Sequence, residues 1–301
     1  MKTLNVSFSC EQDKIDFVLK CEKEFNERLS SASKKAISSG FSDVLLSGPT
    51  CSGKTTAANK IIDDIRLDGR ETTVISFDDF FKDRADKRKI DATKKIDYDS
   101  IDIIDFELLR RCVKNAKPGK KLSVPVFDFL SQSRTGYAEH TIVENEIIVF
   151  EGIQAVYPEV YSLFNGEYIG IFINVDEDVM LNGIYFSRDE IRLIRRIVRD
   201  RKFRGASADF TLFLWQTVRE NEDKNIFPNK NVCEIQIDSF MGYELFVMKK
   251  YILEVLGEID KSSPYFSYAE ELKEKFETID EISYDYVPEN SLYTEFLGKK
   301  K

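Results

Sequence analysis

Residues Gly48-Pro49-Thr50-Cys51-Ser52-Gly53-Lys54-Thr55 fit the pattern G-x-x-x-x-G-K-[ST], which binds phosphate where it joins a buried strand to a helix. Both flanks are present. Upstream, Asp43-Val44-Leu45-Leu46-Ser47 is a short apolar run of the kind that forms a buried strand. Downstream, Ala57, Ala58, Ile61, Ile62 and Ile65 recur at helical spacing, and Gly69 supplies a stop. The two loop glycines let the backbone fold tightly around an anion with its N–H groups inward, and the following helix adds its positive end. Lys54 brings a point charge to the outer phosphates and Thr55 a hydroxyl to Mg²⁺. The expected nucleotide contacts are therefore Gly48, Pro49, Thr50, Cys51, Ser52, Gly53, Lys54, Thr55 and Thr56, with ATP or GTP and Mg²⁺ as the ligands. Cys51 is read as a small residue that fits the loop.

The rest of the chain continues the alternation. Strands are expected at Thr72–Phe77, Glu146–Phe150, Tyr168–Val175 and Val232–Ile237. Helices are expected at Ile101–Val113, Glu177–Arg204, Ser207–Asn221 and Tyr243–Leu256, after one or two helices before Phe41. This order predicts an α/β fold, a three-layer α/β/α P-loop NTPase with a predominantly parallel sheet and a helical lid. The chain has 301 residues, 42% of them hydrophobic, enough for a sizeable core. A net charge of −9 argues against nucleic acid or an anionic membrane as partner. No apolar run reaches the length of a membrane span, and the N-terminus lacks a signal-peptide pattern. Five cysteines without a C-x-x-C pair point to free thiols in a reducing, cytoplasmic setting. The single histidine, His140, is read as a surface residue and leaves no basis for a His-ligated zinc site or a Ser-His-Asp triad.

Two apolar runs end in acids. Glu151 closes Ile147–Phe150, where a carboxylate beside the loop can hold Mg²⁺ directly or through water. A strand-terminal surface acid is the plain alternative, and Gly152, which permits close approach, favours the metal role. Val74-Ile75-Ser76-Phe77 ends in Asp78 and Asp79. Phosphoryl transfer to an alcohol needs a group that accepts the hydroxyl proton and aims the oxygen, and either aspartate qualifies. Either can instead cap a helix.

Arg192, Arg195, Arg196 and Arg199 share one helical stripe, with Ile191, Ile194, Ile197 and Val198 on the other side; Arg201, Lys202 and Arg204 follow. Four arginines on a stripe repel one another unless an anion neutralises them. A triphosphate is the expected anion, met by a mobile lid that brings arginine to the γ-phosphate. Asp189 and Asp200 offer the alternative of an ordinary salt-bridged face.

These segments together resemble the uridine kinase family of P-loop nucleoside kinases, relatives of phosphoribulokinase. The likeness runs from about Asp43 to Leu256. It adds Tyr98-Asp99-Ser100-Ile101-Asp102, Val124-Pro125-Val126-Phe127-Asp128-Phe129 and Ser133-Arg134 to the motifs above. The resemblance implies a kinase domain over residues 41–257 with a lid at about 183–210, between a helical extension at 1–40 and a helical extension and tail at 258–301. It implies Asp78 as the catalytic base in contact with substrate and Glu151 as the Mg²⁺-associated acid. Tyr98 and Asp99 fall where the family holds the nucleoside, Phe127 and Gln132 near the base, and Arg134 near the sugar. Arg195, Arg196, Arg199 and Arg204 fall in the lid: Arg195 on the nucleotide, Arg196 and Arg199 on the transferred group, Arg199 and Arg204 on the substrate. Phe127 and Gln132 stand where typical members have Tyr and His, and Ser207 stands where a further arginine is expected. Phe127 can stack but not hydrogen-bond. Arg204–Ala208, Asn225–Pro228, Tyr243–Leu245 and Val287–Leu292 resemble a bacterial subgroup of nucleoside kinases often fused behind a threonyl-tRNA-synthetase-like module. The first 40 residues are too short to hold that module.

The expected activity is ATP-dependent phosphorylation of a nucleoside 5′-hydroxyl, that of uridine or cytidine first. The rivals are a kinase for another small alcohol and an NTP-binding regulatory protein with little turnover. Intact Lys54, Thr55, Asp78 and Glu151 weigh against the second rival. The expected partner is a small-molecule nucleoside, with a homo-oligomer left open.

Overall fold

A computed structural model describes residues 1–83, 100–129 and 131–300. Among these the strands are β1 (Lys2–Leu4), β2 (Asp43–Ser47), β3 (Thr72–Ser76), β4 (Lys121–Asp128), β5 (Ser133–Thr141), β6 (Ile147–Glu151), β7 (Ile169–Asn174), β8 (Val179–Leu181), β9 (Ile184–Phe186) and β10 (Ile235–Asp238). Five of them form a parallel sheet in the order β10-β7-β2-β6-β3. The inner strands are mostly apolar and buried on both faces, whereas the edge strands β3 and β10 each expose a residue, Val74 and Gln236. Alternate residues feed opposite cores: Val44, Leu46, Ile147 and Val149 point into one, Leu45, Ile148 and Phe150 into the other. The first core receives the helices Glu11–Ser38, Lys54–Leu67, Arg188–Arg204 and Glu244–Leu256. The second receives the helix Phe106–Asn115 and the turns that follow β3 and β6. This is the expected three-layer α/β/α arrangement.

Of the one or two helices expected before Phe41 there is one, Glu11–Ser38, with Val18, Cys21, Phe25, Leu29, Ala32 and Ala36 on its buried face. Other elements differ from the sequence reading, each for a local reason. The segment expected to be helical from Glu177 first makes the hairpin β8–β9, turning at Asn182 (φ 48°) and Gly183 (φ 85°). Asn-Gly is the strongest short hairpin signal. The helix then begins at Arg188 behind a Ser187 cap. β1 pairs in parallel with β8, which ties the N-terminal strand to that hairpin. In place of one helix over Ile101–Val113 there is a short 3₁₀ turn and a helix Phe106–Asn115, started by Asp105, whose side chain accepts from the Leu108 N–H. The antiparallel hairpin β4–β5 was not expected at all.

Candidate active site

β2 delivers the chain into the loop, and Lys54 opens the following helix. Close packing demands Gly48, where a Cβ would lie 2.0 Å from the Ile173 carbonyl oxygen. Gly53 is demanded twice, by a φ of 90° and by Leu292, whose Cδ1 would lie 2.2 Å from an added Cβ. Buried Cys51 holds a left-handed φ of 56° despite its side chain. Its carbonyl is fixed by Arg195 Nη1 at 3.1 Å. Lys54 Nζ folds back to the Pro49 carbonyl at 3.2 Å, over the loop it serves.

The acids gather at the ends of the two neighbouring strands. Register places Leu46 and Ser76 on either side of Glu151. Ser76 Oγ donates to Glu151 Oε1 at 3.0 Å and accepts from the Asp78 N–H at 3.4 Å. Ser76, and neither aspartate, therefore caps the turn Phe77–Phe80, and it links the Glu151 carboxylate to the backbone of Asp78. Asp79 does another job. Its Oδ1 accepts from the Phe127 N–H at 3.1 Å, which fastens the hairpin β4–β5 to this turn. Burial lifts Asp79 above the usual aspartate range; the Phe127 N–H opposes this and nearby Glu151 adds to it. The Thr55 hydroxyl and the Glu151 carboxylate are hard oxygen donors that fit Mg²⁺ shared with phosphates.

The hairpin brings the other candidates close. Phe127 is buried edge-on to Phe81 and Phe129, at centroid distances of 5.6 and 5.4 Å. Gln132 sits at the hairpin tip with a left-handed φ of 54°. Arg134 donates through Nη2 to Asp105 Oδ2 at 2.8 Å, and its N–H donates to Asp83 Oδ1 at 2.7 Å. Tyr98 and Asp99 lie outside the described residues.

The arginine stripe divides in two. Arg192 and Arg195 are fully buried. Arg192 makes a double hydrogen bond to Glu222, at 2.6 and 2.8 Å, and reaches the Thr50 carbonyl. Glu222 in turn accepts from the Thr50 N–H at 3.2 Å. Arg195 grips Glu244, at 3.2 and 2.7 Å, together with Ser239 and the Cys51 carbonyl. Arg195 was expected on the nucleotide; its donors are instead turned to these partners, and it braces the loop backbone. Arg196, Arg199 and Arg204 all converge on Asp200, at 3.4, 2.7 and 3.5 Å. Arg196 Nη1 also meets Thr50 Oγ1 at 3.3 Å. Among the described residues these three guanidiniums meet Asp200 directly and Glu295 acts on Arg199 from nearby, so a positive surplus remains beside the loop. Ser207, at the place of the missing arginine, caps the next helix by accepting from the Phe210 N–H at 3.2 Å.

A model of the phosphoribulokinase/uridine kinase family matches residues 44–245. The chain belongs to that family. Uridine-cytidine kinase B of Dictyostelium discoideum is 29% identical over 209 residues, covering 67% of this chain and 78% of that protein. A uridine kinase of Ureaplasma urealyticum is 29% identical over 195 residues, covering 64% and 86%. Uridine-cytidine kinase A of Dictyostelium is 30% identical over 190 residues, but the match spans only 34% of its length. A structure described as a possible uridine kinase from Bacillus stearothermophilus superposes with a TM-score of 0.51 at 17% identity, covering 71% of this chain and 100% of that one, and so shares the fold. The phosphoribulokinase/uridine kinase family is one of phosphotransferases with an alcohol acceptor, and this chain is such an enzyme.

Within this family member, sequence reasoning missed Ser76, Glu222 and Glu244 as organisers of the loop and its acids. Ser76 was legible as a cap signal two residues before Asp78. Glu222 and Glu244 had no local signal, because their partners Arg192 and Arg195 are 30 and 49 positions away.

Proposed function

We propose that the protein transfers the γ-phosphoryl group of ATP to the 5′-hydroxyl of a nucleoside, uridine or cytidine first. The observation that supports this most is the Ser76 link, which ties the Glu151 carboxylate to the Asp78 backbone at the ends of β6 and β3, on one side of the phosphate-loop strand. Lys54 and the loop N–H groups hold the phosphates. Thr55 and Glu151 hold Mg²⁺, which when bound neutralises charge on the phosphate chain. Asp78 accepts the hydroxyl proton and aims the oxygen. Arg196 and Arg199 face the charge that spreads over the transferred group, and the surplus around Asp200 supports that role. The Phe81–Phe127–Phe129 cluster offers a stacking wall for a base, with Gln132 and Arg134 at its end. Arg204 completes the substrate side. Residues 41–257 form the kinase unit, working in the cytoplasm on a small molecule. An all-phenyl wall, whose rings carry no hydrogen-bonding group of their own, also favours a second reading, a different nucleoside or small alcohol as acceptor.

The test is Mg·ATP consumption against a panel of nucleosides and sugar phosphates. Uridine- or cytidine-dependent ADP release is expected. Asp78→Asn should lose roughly 10²–10⁴ in kcat while keeping ATP affinity. Turnover with another acceptor only would move the substrate. ATP binding without any acceptor-dependent turnover would replace the catalytic reading with a regulatory one.

A further inference from the structure

Residues beyond the family match return to the phosphate loop. Leu292 fills the space against Gly53, and Glu295 Oε2 accepts from Thr56 Oγ1 at 3.2 Å on the first turn of the loop helix. The segment is firmly seated. Tyr293 and Phe296 lie against the Arg195 guanidinium at 5.8 and 5.3 Å, and Ser291 Oγ shares a hydrogen bond with Tyr243 Oη at 3.1 Å. The Leu297 carbonyl accepts from Lys202 Nζ. Leu292, Tyr293, Phe296 and Leu297 are fully buried. Glu295, the one charged residue from Ser291 to Leu297, is only partly buried beside Thr56.

The polarity of the site limits what Glu295 can meet. Transfer to an alcohol needs the γ-phosphate to face Asp78, which follows the edge strand β3. The nucleoside end of the donor then points away from Asp78, toward the start of the loop helix, where Leu292 and Glu295 lie. An ionised carboxylate only accepts hydrogen bonds and repels phosphate, whereas sugar hydroxyls and ring amino groups donate. We infer that Ser291–Leu297 forms a wall of the donor site and that Glu295 accepts hydrogen bonds from the nucleoside half of the donor nucleotide, setting its affinity. This rests on the proposed function, since it needs a nucleotide in the loop.

The test compares the full-length wild type with Glu295→Ala and Glu295→Gln in kinetics and in equilibrium Mg·ATP binding, with Lys54→Ala as control. Loss of a hydrogen bond to a charged acceptor should raise KM and Kd for ATP roughly tenfold or more in Glu295→Ala, and less in Glu295→Gln. kcat and the acceptor KM should change less than the affinity for ATP. An unchanged melting temperature in Glu295→Gln separates this from misfolding. Unchanged ATP affinity would overturn the inference, leaving the segment a structural cover. Tighter ATP binding would also overturn it, making Glu295 a competitor of the phosphates. Wild type that lacks Lys54-dependent nucleotide binding would instead sink the proposed function, and this inference with it.

Discussion

Arg192 and Arg195 are each matched by a buried carboxylate, Glu222 (which also receives Arg219) and Glu244, whereas Arg196, Arg199 and Arg204 share Asp200 on the same helix. The spacing that puts all of them near the phosphate loop does not distinguish the two groups; what each side chain packs against does. The first pair is electrically closed. Its spare donors go to the Thr50 and Cys51 carbonyls, so it fixes the shape of the loop. The second group is electrically open, and an open group of cations beside a phosphate loop is suited to work on the ligand. Arg199 shows the balance. Burial works against its charge, but Cys51, Asp200 and Glu295 around it outweigh burial and hold it above the ordinary arginine range. A stripe of arginines is therefore divided into a closed scaffold and an open group by how many carboxylates the fold supplies.

The sharpest way to break this comparison is at Arg195. Arg195→Met leaves Glu244 buried without its cation and should cost about 3–5 kcal/mol in urea unfolding, and Arg195→Met with Glu244→Leu should recover most of it. A small loss in the single variant would mean that the pair is not structural. Next, Arg199→Ala should fold normally and lower kcat about 10²–10³-fold at saturating ATP, the scale of one donor to a transition-state anion. A stability loss with normal kcat would place Arg199 with the scaffold.

The smallest effect concerns a buried acid with no arginine. Asp43 opens β2, and one of its carboxyl oxygens is buried without a hydrogen-bond partner. Burial pushes its pKa up to about 7, with Lys117 opposing and Glu167 adding. The folded value lies above the unfolded one, near 3.9. Its contribution is thus fully present below about pH 4 and lost as pH rises through 7. Asp43→Asn should be more stable than wild type at pH 7.5 by roughly 1–2 kcal/mol, a gap that closes toward pH 4.5. A constant gap across that range would show that Asp43 is not neutral in the fold.

Much of the sheet could be read from the chain because its strands are near-continuous apolar runs bounded by turn residues. The phosphate loop could be read because its glycines answer to local sterics. The hairpin β4–β5 could not, since Pro125 interrupts one strand and polar residues dominate the other, which is mostly exposed. The Asn182-Gly183 turn was legible and was overridden by a long helical pattern nearby. The split in the arginine stripe was out of reach, because Glu222 and Glu244 come from distant segments. So was the return of Ser291–Leu297 to the loop, which read as part of an acidic extension.

The bond between Thr56 and Glu295 joins residues 239 positions apart. A ribosome makes the loop first and Leu292 and Glu295 much later, with on the order of ten seconds or more between them at typical synthesis speeds. Through that interval Gly53 lacks the side chain that packs on it, and the guanidinium that fixes Cys51 lacks its two aromatic neighbours. A chain interrupted before Ser291 would carry every residue of the phosphate-binding signature and still lack the side chain that packs on Gly53, so the signature and its support are separated in time as well as in sequence.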